Sequence, residues 1–485
     1  MSGPVSAADP GRPDPGSPDP GSPGPGSPTG APDTTRAPDS GEPAGPSPRS
    51  GAARPHRAGR GESLRLAVTH TLPAFARGVS APRPAVGSLL GAVGQPRWSA
   101  ATLRSLRDRY GGAPVLLGGA SGDTLVLLDP ADVEDFFARP VRELALDAVD
   151  KTKIFSVLEP TGVICAHGDL REARRALNDR VLGHHEETHP SCETFRTVIA
   201  EECVRLTTGP TLPYARLERA AQRISRRIVL GDQAAGDEEL ARWLLTLRQE
   251  GNWGAVRRGP TPANRRLYQA ATDRLHVYAP HAPGTTLLGQ AMETACDPDV
   301  DAVGQAHHWL LALDAIGLIV ARTLLLLAAH PAEQTALYNA PHAPDTGRLR
   351  ACVLETLRLY PLVNDLLRIL RADTTWRGVP YKAGTHVLVP IGFLQRDSTL
   401  VPGGSLFAPG RWQAEGAEHD TRMAPFGHGG GRCPGDRLGL MVATEICAQL
   451  LRAHHLTGGS PRLDPHRSLP GALNASAIRL TLARS

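Results

Sequence analysis

The sequence is poor in lysine and in aromatic residues and has little net charge, and the last two properties argue against particular binding partners. Only three of its 53 basic residues are lysine, and the others are arginine. Aromatic residues make up 4% of the 485 residues, which argues against a base-stacking nucleic-acid surface. The net charge of +4 is too small to favour nucleic acid or an acidic membrane as a partner. What remains is a globular composition, with 41% hydrophobic and 21% charged residues.

Disulfide bonds and membrane spans are not expected either. The seven cysteines are odd in number and include no CxxC pair, so they indicate a reducing compartment and no disulfide framework. No charged-then-apolar signal peptide opens the chain. The longest apolar run, residues 309–330, contains Asp314 and Arg322, each of which would cost about 3 kcal/mol at the centre of a bilayer. We therefore expect a buried helix in a cytoplasmic protein with no membrane anchor.

Composition divides the chain into a polar tail and one large domain. Residues 1–60 are rich in Pro, Gly and Ser and cannot bury enough apolar surface to offset chain entropy, which predicts a disordered tail. Residues 61–97 are a lead-in of uncertain structure, and residues 98–485 are expected to form one domain. Hydrophobic periodicity predicts a mainly α fold with small β-sheets. The predicted helices are 100–110, 130–138, most of 169–330 (with loops near 183–193, 232–238 and 279–300) and 436–455, and the predicted strands are 114–118, 124–128, 367–370, 379–381 and 386–390.

The most informative segment is PFGHGGGRCPGD, residues 425–436. Four glycines in five positions let the backbone come close to a flat ligand. Cys433 precedes Pro434 and an amphipathic helix, so its sulphur is expected near the positive end of a helix dipole, where the pKa of a thiol is lowered. Arg432 adds a positive charge beside it. Such a thiolate is typical of a metal ligand or a nucleophile, and no His–carboxylate pair suited to a nucleophile is identifiable.

This segment resembles the haem-binding signature of the cytochromes P450, F-x-x-G-x-x-x-C-x-G. Glu355-Thr-Leu-Arg358 resembles the ExxR of that family, and the segment 407–412 resembles its later F-x-P-x-R. The resemblance extends over residues from about 98 to 485 and implies a P450 fold. It also implies haem b (iron protoporphyrin IX) with Cys433 as the axial ligand of the iron. The loop residues expected against the haem are Phe426, Gly427, Gly429, Arg432 and Gly435.

The resemblance assigns further roles to charged side chains. It implies that Glu355, Arg358 and Arg411 form a buried carboxylate–guanidinium triad, and that Arg368 contacts a haem propionate. A second propionate contact is expected near residue 170, where the family pattern can be aligned to the sequence in two frames. One frame uses His167 with Arg171. The other uses Arg174, which we favour.

The long apolar helix departs from the family pattern. The position of the usual acid falls on Asp314, but the position of the usual alcohol falls on Ala315, so the hydroxyl that helps deliver protons during O₂ activation is missing. A substrate hydroxyl or an ordered water could replace it, the enzyme could use peroxide or catalyse non-oxygenating chemistry, or the register could be off by one turn. Leu311, Ala315 and Val363 are candidate substrate contacts.

One further motif points elsewhere. His185-Glu-Glu-Thr-His189 matches the HExxH of zinc proteases, which places two histidines one helical turn apart. Here Gly183 and Pro190 flank the motif and its residues are hydrophilic. We therefore predict a polar loop between helices and not a metal site.

The resemblance implies a haem-thiolate monooxygenase that oxidises, most simply by hydroxylation, a small apolar or amphipathic metabolite such as a natural-product intermediate. Electrons would come from a separate ferredoxin or flavodoxin-type partner, since no fused reductase is identifiable. The alternative, suggested by Ala315, is a peroxygenase or a non-oxygenating haem enzyme such as an isomerase, dehydratase or ring-coupling catalyst. A haem-binding protein without turnover is a third possibility.

Overall fold

The computed structural model describes residues 54–119, 122–206, 209–254, 256–257, 259–340 and 343–484. Most of the predicted tail, up to residue 53, lies outside the described residues. The predicted end of the tail at residue 60 is wrong, because residues 56–57 already form a strand that pairs in parallel with residues 115–116. Arg57 is fixed there by an ion pair of 2.7 Å with Asp123, and its carbonyl accepts a hydrogen bond from the Tyr110 hydroxyl.

The described residues fold mainly into α-helices, as predicted. The helices are α1 Arg60–Leu66, α2 Leu72–Arg77, α3 Pro84–Ala92, α4 Gln95–Arg109, α5 Pro130–Ala138, α6 Val149–Leu158, α7 Gly168–Val181, α8 Cys192–Leu206, α9 Tyr214–Leu230, α10 Glu238–Gly251, α11 Pro262–Tyr278, α12 Leu287–Glu293, α13 Ala306–Asp314, α14 Ile316–Ala329, α15 Pro331–Thr335, α16 Thr346–Leu359, α17 Ile391–Leu394 and α18 Asp436–Ala453.

The strands are short and lie in small sheets. They are β1 His56–Arg57, β2 Val115–Leu117, β3 Thr124–Val126, β4 Leu144–Ala145, β5 Thr211–Pro213, β6 Tyr338–Ala340, β7 Ala343–Pro344, β8 Leu366–Leu370, β9 Thr374–Trp376, β10 Val379–Tyr381, β11 His386–Val389, β12 His454–Ser460 and β13 Arg479–Arg484. The largest sheet has the order β1-β2-β3-β11-β8-β4, and a three-stranded sheet has the order β12-β13-β5. In the large sheet β11 runs antiparallel to β8, with Val387 opposite Arg368.

The apolar helix predicted from the run 309–330 lies at the centre of the main core. Helices α9, α16 and α18 all pack against α14, and most of its side chains are buried. The span Ala306–Ala329 is long and apolar enough to cross a membrane by length and composition, with a mean hydropathy of 2.2, but 67% of that window is buried inside the protein. This burial is what a core helix requires.

Most predicted elements are confirmed within a few residues, and two are wrong in a way that has a physical reason. Helix α5 spans the predicted residues, and β10 also has the predicted bounds. The predicted loop 279–300 contains the helix α12, which begins where the Thr286 hydroxyl accepts a hydrogen bond from the Gly289 N–H and which buries Leu287 and Leu288. The long apolar helix is interrupted at Ala315, between α13 and α14.

Candidate active site

The glycine-rich loop before α18 is tightly folded and closely packed. Gly427 and Gly429 have φ angles of 70° and 61°, a region that glycine adopts without strain. A Cβ on Gly429 would lie 2.1 Å from the carbonyl oxygen of Phe137 at the end of α5. The Cys433 N–H donates to the Phe426 carbonyl over 3.0 Å, which closes the loop. The loop therefore presents Cys433 immediately before the first turn of α18.

The surroundings of Cys433 do not lower its pKa, contrary to the prediction from the sequence. Burial raises the pKa of the thiol to about 11, and the Gly435 N–H and the charges of Arg175 and Arg432 offset only part of that rise. Arg432 is itself neutralised, since its Nε lies 2.6 Å from the Asp436 carboxylate. The helix terminus alone is therefore too weak to hold a thiolate here, and a cation bonded to the sulphur would be needed to keep it ionised.

Helix α7 holds the loop from the other side. Arg171 donates through Nη2 to the Gly430 carbonyl over 2.9 Å, and Arg175 donates through Nη1 to the Arg432 carbonyl over 2.7 Å. The two arginines are four residues apart and so lie on one face of the helix. Arg175 was not among the predicted site residues, although its spacing of four residues from Arg171 places the two side chains next to each other on the helix.

Arg368 lies on β8 against the same loop and carries a charge that is not neutralised. The residue is only 4% exposed, yet among the described residues no carboxylate forms an ion pair with it. Its Nη1 donates to the Phe136 carbonyl over 3.1 Å, and its guanidinium carbon lies 4.3 Å from the centre of the Phe136 ring. A Cβ on Gly431 would lie 2.4 Å from Arg368 Nη2, so a larger residue there would displace the end of the arginine side chain.

Two further cations lie close to Arg368: Arg171, which belongs to one of the two predicted frames, and Lys151, which was not predicted. Burial and the charge of Arg171 lower the pKa of Arg368 to about 10. Burial and the charge of Arg368 lower the pKa of Lys151 to about 8. Buried cations that repel one another are stabilised by an anion placed between them. We call Lys151, Arg171 and Arg368 the cation cluster.

The structure distinguishes the two frames left open near residue 170. Arg174, which the sequence analysis favoured, donates to the carbonyls of Pro160 and Gly162 and not to the loop. Arg171 is the residue whose charge acts on Arg368. His167 precedes α7 with its Nδ1 3.2 Å from Asp147, and its side chain is 70% exposed. Arg171, and not Arg174, thus contacts the glycine-rich loop, and the assignment of a propionate contact to either residue stays a prediction.

The predicted triad is present, with Glu355 and Arg358 fully buried and Arg411 partly buried. Glu355 and Arg358 are each 0% exposed, and Arg358 binds the carboxylate with two hydrogen bonds of 2.7 and 2.8 Å. Arg411 donates to the same carboxylate over 3.1 Å. Trp412, which the sequence analysis did not assign, adds an indole hydrogen bond of 2.9 Å. This cluster ties α16 to the segment that precedes the glycine-rich loop.

The distal helix is broken at Ala315. The Ala315 N–H donates to the Ala312 carbonyl over 3.3 Å, which tightens the last turn of α13, and α14 begins at the next residue. Around the break, residues 308, 311, 314, 315, 318 and 322 are only partly buried and residue 312 is exposed, whereas the other positions from 307 to 321 are buried. All of these except residue 314 share one helix face, which is therefore less buried than the rest of the helix. Leu311 and Ala315 lie on this face, and Val363, on the segment before β8, is 59% exposed.

Asp314 lies off this face and pairs with α10. Its carboxylate is 3.4 Å from Arg248 Nη1, and the Ser225 hydroxyl also hydrogen-bonds to it. Burial raises the pKa of Asp314 to about 6, despite the opposing effect of Arg248 and Ser225. The acid predicted from the sequence is therefore inside the protein, as expected, and it titrates close to neutrality.

The HExxH motif is a loop between α7 and α8, as predicted. His189 uses both ring nitrogens internally, since Nε2 donates to the Val181 carbonyl and Nδ1 accepts from the Ser191 N–H. No group of three or more potential metal-binding side chains (His, Cys, Asp or Glu) occurs among the residues that the structure describes. The motif is not a zinc site.

Comparison with known proteins agrees with this geometry. The sequence profile described as cytochrome P450 matches residues 345–476, the stretch that carries the buried triad and Cys433. The chain belongs to the cytochrome P450 family. Across 90% of this P450 and 99% of the other chain, the fold matches a crystal structure of a cytochrome P450 OleT variant in complex with arachidonic acid, with a TM-score of 0.64 and 15% sequence identity.

The curated relatives align over part of their length. The probable mitochondrial cytochrome P450 12d1 proximal of Drosophila melanogaster is 28% identical over 205 residues, which cover 38% of this P450 and 39% of that protein. Cyclooctat-9-en-7-ol 5-monooxygenase of Streptomyces melanosporofaciens is 29% identical over 256 residues, which cover 45% of this P450 and 55% of that protein. This P450 thus spans between two fifths and somewhat over half of the length of these relatives.

The site fits the haem b that the family binds. The thiol of Cys433 lies on a loop whose glycines allow close approach, and the cation cluster, which the nearby carboxylates compensate only in part, is complementary to the two carboxylates of a porphyrin. Cys433 would hold the iron, and Arg368 with Arg171 would hold propionates. When bound, the haem supplies the redox chemistry, and the thiolate favours O–O cleavage. The chain itself contributes the proton-holding carboxyl of Asp314 and the partly buried helix face at Ala315.

Proposed function

We propose that this P450 is a haem-thiolate monooxygenase that hydroxylates a small apolar or amphipathic metabolite, a natural-product intermediate. It would use O₂ and electrons from a separate ferredoxin or flavodoxin-type donor in the bacterial cytoplasm. The main support for this proposal is that the glycine-rich loop with Cys433 packs against the cation cluster. The Streptomyces relative supports this proposal, since its name describes a monooxygenase whose substrate is an alkenol.

Replacement of the proposed ligand tests this function directly. In Cys433→Ser the iron would lose its sulphur ligand, so we expect the reduced protein with CO to lose the red-shifted band that marks a thiolate ligand. Cys447→Ser is the matched control, because Cys447 is a buried cysteine on α18 that is packed in the main core. A variant at Cys433 that keeps the thiolate-type band would contradict the assignment.

Ala315 favours a second candidate function, a peroxygenase or a non-oxygenating haem enzyme. Ala315 has no hydroxyl that could pass a proton. The neighbouring acid, Asp314, forms an ion pair with Arg248. Product formation with NADPH and a surrogate ferredoxin system should be compared with product formation from hydrogen peroxide alone. Turnover with the reductase system supports the monooxygenase, whereas turnover with peroxide only supports the second candidate.

A further inference from the structure

A small cavity lies between α6, α10 and α13, on the N-terminal side of the helix break. Its wall is formed by Leu158, Glu159, Leu244, Leu247, Arg248, His307 and Leu311. Leu311 is one helical turn before Ala315, and His307 is one turn further, which is about 12 Å along the helix axis from Ala315. Through Leu311 the cavity thus adjoins the partly buried face of the distal helix.

His307 presents a hydrogen-bond acceptor that nothing in the described protein satisfies. The residue is 2% exposed, and its Nδ1 is buried without a partner. Its Nε2 lies 2.9 Å from the Thr272 hydroxyl, which donates its own proton to the Tyr268 carbonyl. Thr272 must therefore accept from His307, which places the ring proton on Nε2 and leaves Nδ1 as a bare acceptor. Burial lowers the pKa of His307 to about 4, which keeps the ring neutral.

Arg248 presents the opposite group to the same cavity. Its Nη1 is engaged with Asp314, but its Nε–H is buried without an acceptor among the described residues. Glu159 also lines the cavity, and its two oxygens are taken by His308 Nδ1 at 2.7 and 2.9 Å. The residues that line the cavity therefore include one with an unsatisfied donor, Arg248, and one with an unsatisfied acceptor, His307. A buried polar group is destabilising when it is left unpaired.

We propose that this cavity binds a hydroxyl group of the substrate, which donates to His307 Nδ1 and accepts from Arg248 Nε. This inference rests on the proposed function and narrows its substrate class to alcohols. A ketone or carboxylate has no proton for His307, and an ammonium group has no lone pair for Arg248. Only a group that is both donor and acceptor satisfies both atoms, and a hydroxyl is the smallest such group on a metabolite.

Three matched probes test the proposal on the wild-type holoenzyme. 2-Adamantanol, 2-adamantanone and adamantane share one rigid skeleton and differ in the polar group alone. We expect the alcohol to bind at least about tenfold more tightly than the ketone and the hydrocarbon, since a site built for a hydroxyl rejects analogues that lack it. Binding is measured by the haem spectral shift and, independently of the haem, by titration calorimetry. Equal affinities, or no binding of the alcohol up to its solubility limit, would overturn the proposal.

Variants of the cavity separate the hydroxyl contact from general packing. His307→Phe keeps a ring but removes Nδ1, so the preference for alcohol over hydrocarbon should fall about tenfold. Thr272→Val frees Nε2 and lets the ring proton move, so the preference should fall less. Leu247→Ala is the control, because an apolar wall residue should weaken the alcohol and the hydrocarbon by the same factor. A preference that survives His307→Phe contradicts the proposal.

The proposal and the proposed function fail in different ways. A preparation without the thiolate-type CO band refutes the haem-thiolate function, but calorimetry still reports whether the cavity prefers the alcohol. A preparation with that band and no alcohol preference refutes the hydroxyl site alone.

Discussion

Two buried polar clusters of this P450 differ in how completely their groups are paired. At Glu355 the carboxylate accepts from Arg358, Arg411, Trp412 and the Ala408 N–H. At the distal cavity, His307 Nδ1 and Arg248 Nε have no partner among the described residues. A saturated buried cluster stabilises the fold and has no capacity for a ligand. A buried cluster with unpaired groups destabilises the ligand-free protein, and a ligand that pairs with those groups removes this destabilisation.

The cation cluster is similar to the distal cavity, because its polar groups are also incompletely paired. Arg368 is nearly as deeply buried as Glu355 and Arg358, but the described residues give it a carbonyl and a ring and no ion-paired carboxylate. The comparison therefore predicts that a substitution in the triad unfolds the protein, whereas a substitution in the cation cluster or the distal cavity changes ligand binding more than stability.

The largest effect is expected at the triad. Glu355→Gln removes the charge that compensates the fully buried Arg358, and breaking a buried ion pair in this way costs about 3–5 kcal/mol. Urea unfolding should show this loss, together with poor haem incorporation. The control is Glu418→Gln, which breaks a half-exposed pair with Arg350 and should cost less than about 1 kcal/mol. Similar losses in the free energy of unfolding for the two variants would show that the triad stabilises the fold no more than a half-exposed ion pair does.

The cation cluster should behave in the opposite way. Arg368→Gln removes a buried charge that burial and Arg171 disfavour, so the apoprotein should keep its stability. Haem should dissociate at least about tenfold faster, since a hydrogen bond to a charged group is worth about 1.5–3 kcal/mol. Haem transfer to apomyoglobin measures the rate, and urea unfolding of the apoprotein measures stability. Arg142→Gln, at an exposed arginine paired with Glu172, should change neither quantity. A destabilised apoprotein with normal haem retention would assign Arg368 a structural role.

The sequence predicted the saturated parts of the molecule better than the unsaturated ones. Cys433 and the ExxR pair lie in short contiguous motifs, so residue order alone identified them. Trp412 was missed because its role depends on a carboxylate 57 residues away along the chain. Lys151 and Arg248 could not be assigned, because α6 and α10 meet their partners only through tertiary packing. The pKa of Cys433 was predicted in the wrong direction because the sequence shows the helix terminus but not the depth of burial.

Asp314 should give the distal side a pH dependence that the triad lacks. Its pKa is raised to about 6 in the folded protein and is about 3.9 in an unfolded chain, so the folded state binds the proton more tightly. Stability from this group is therefore present below pH 4 and is lost as pH rises through 6. Between pH 7 and pH 5 the wild type should gain about 1 kcal/mol relative to Asp314→Asn.

The groups that face Asp314 are Arg248, Arg226 and the Ser225 hydroxyl. Urea unfolding of both proteins at the two pH values provides the measurement. A constant difference between wild type and Asp314→Asn would mean that the carboxylate stays ionised, which would make the Arg248 pair a saturated one like the triad.

The smallest expected effect concerns the missing hydroxyl at Ala315. Thr and Val have the same shape, so Ala315→Thr and Ala315→Val add the same atoms to the helix break except for one hydroxyl. If a generic proton relay is lacking there, the Thr variant should convert a larger fraction of NADPH electrons into product than the Val variant, by a factor of about two or three, which corresponds to less than about 1 kcal/mol. Their stabilities should agree, because both are β-branched at the same position. Equal coupling in the two variants would show that the proton reaches the haem without help from this position, and that the distal side is completed by the substrate or by water instead.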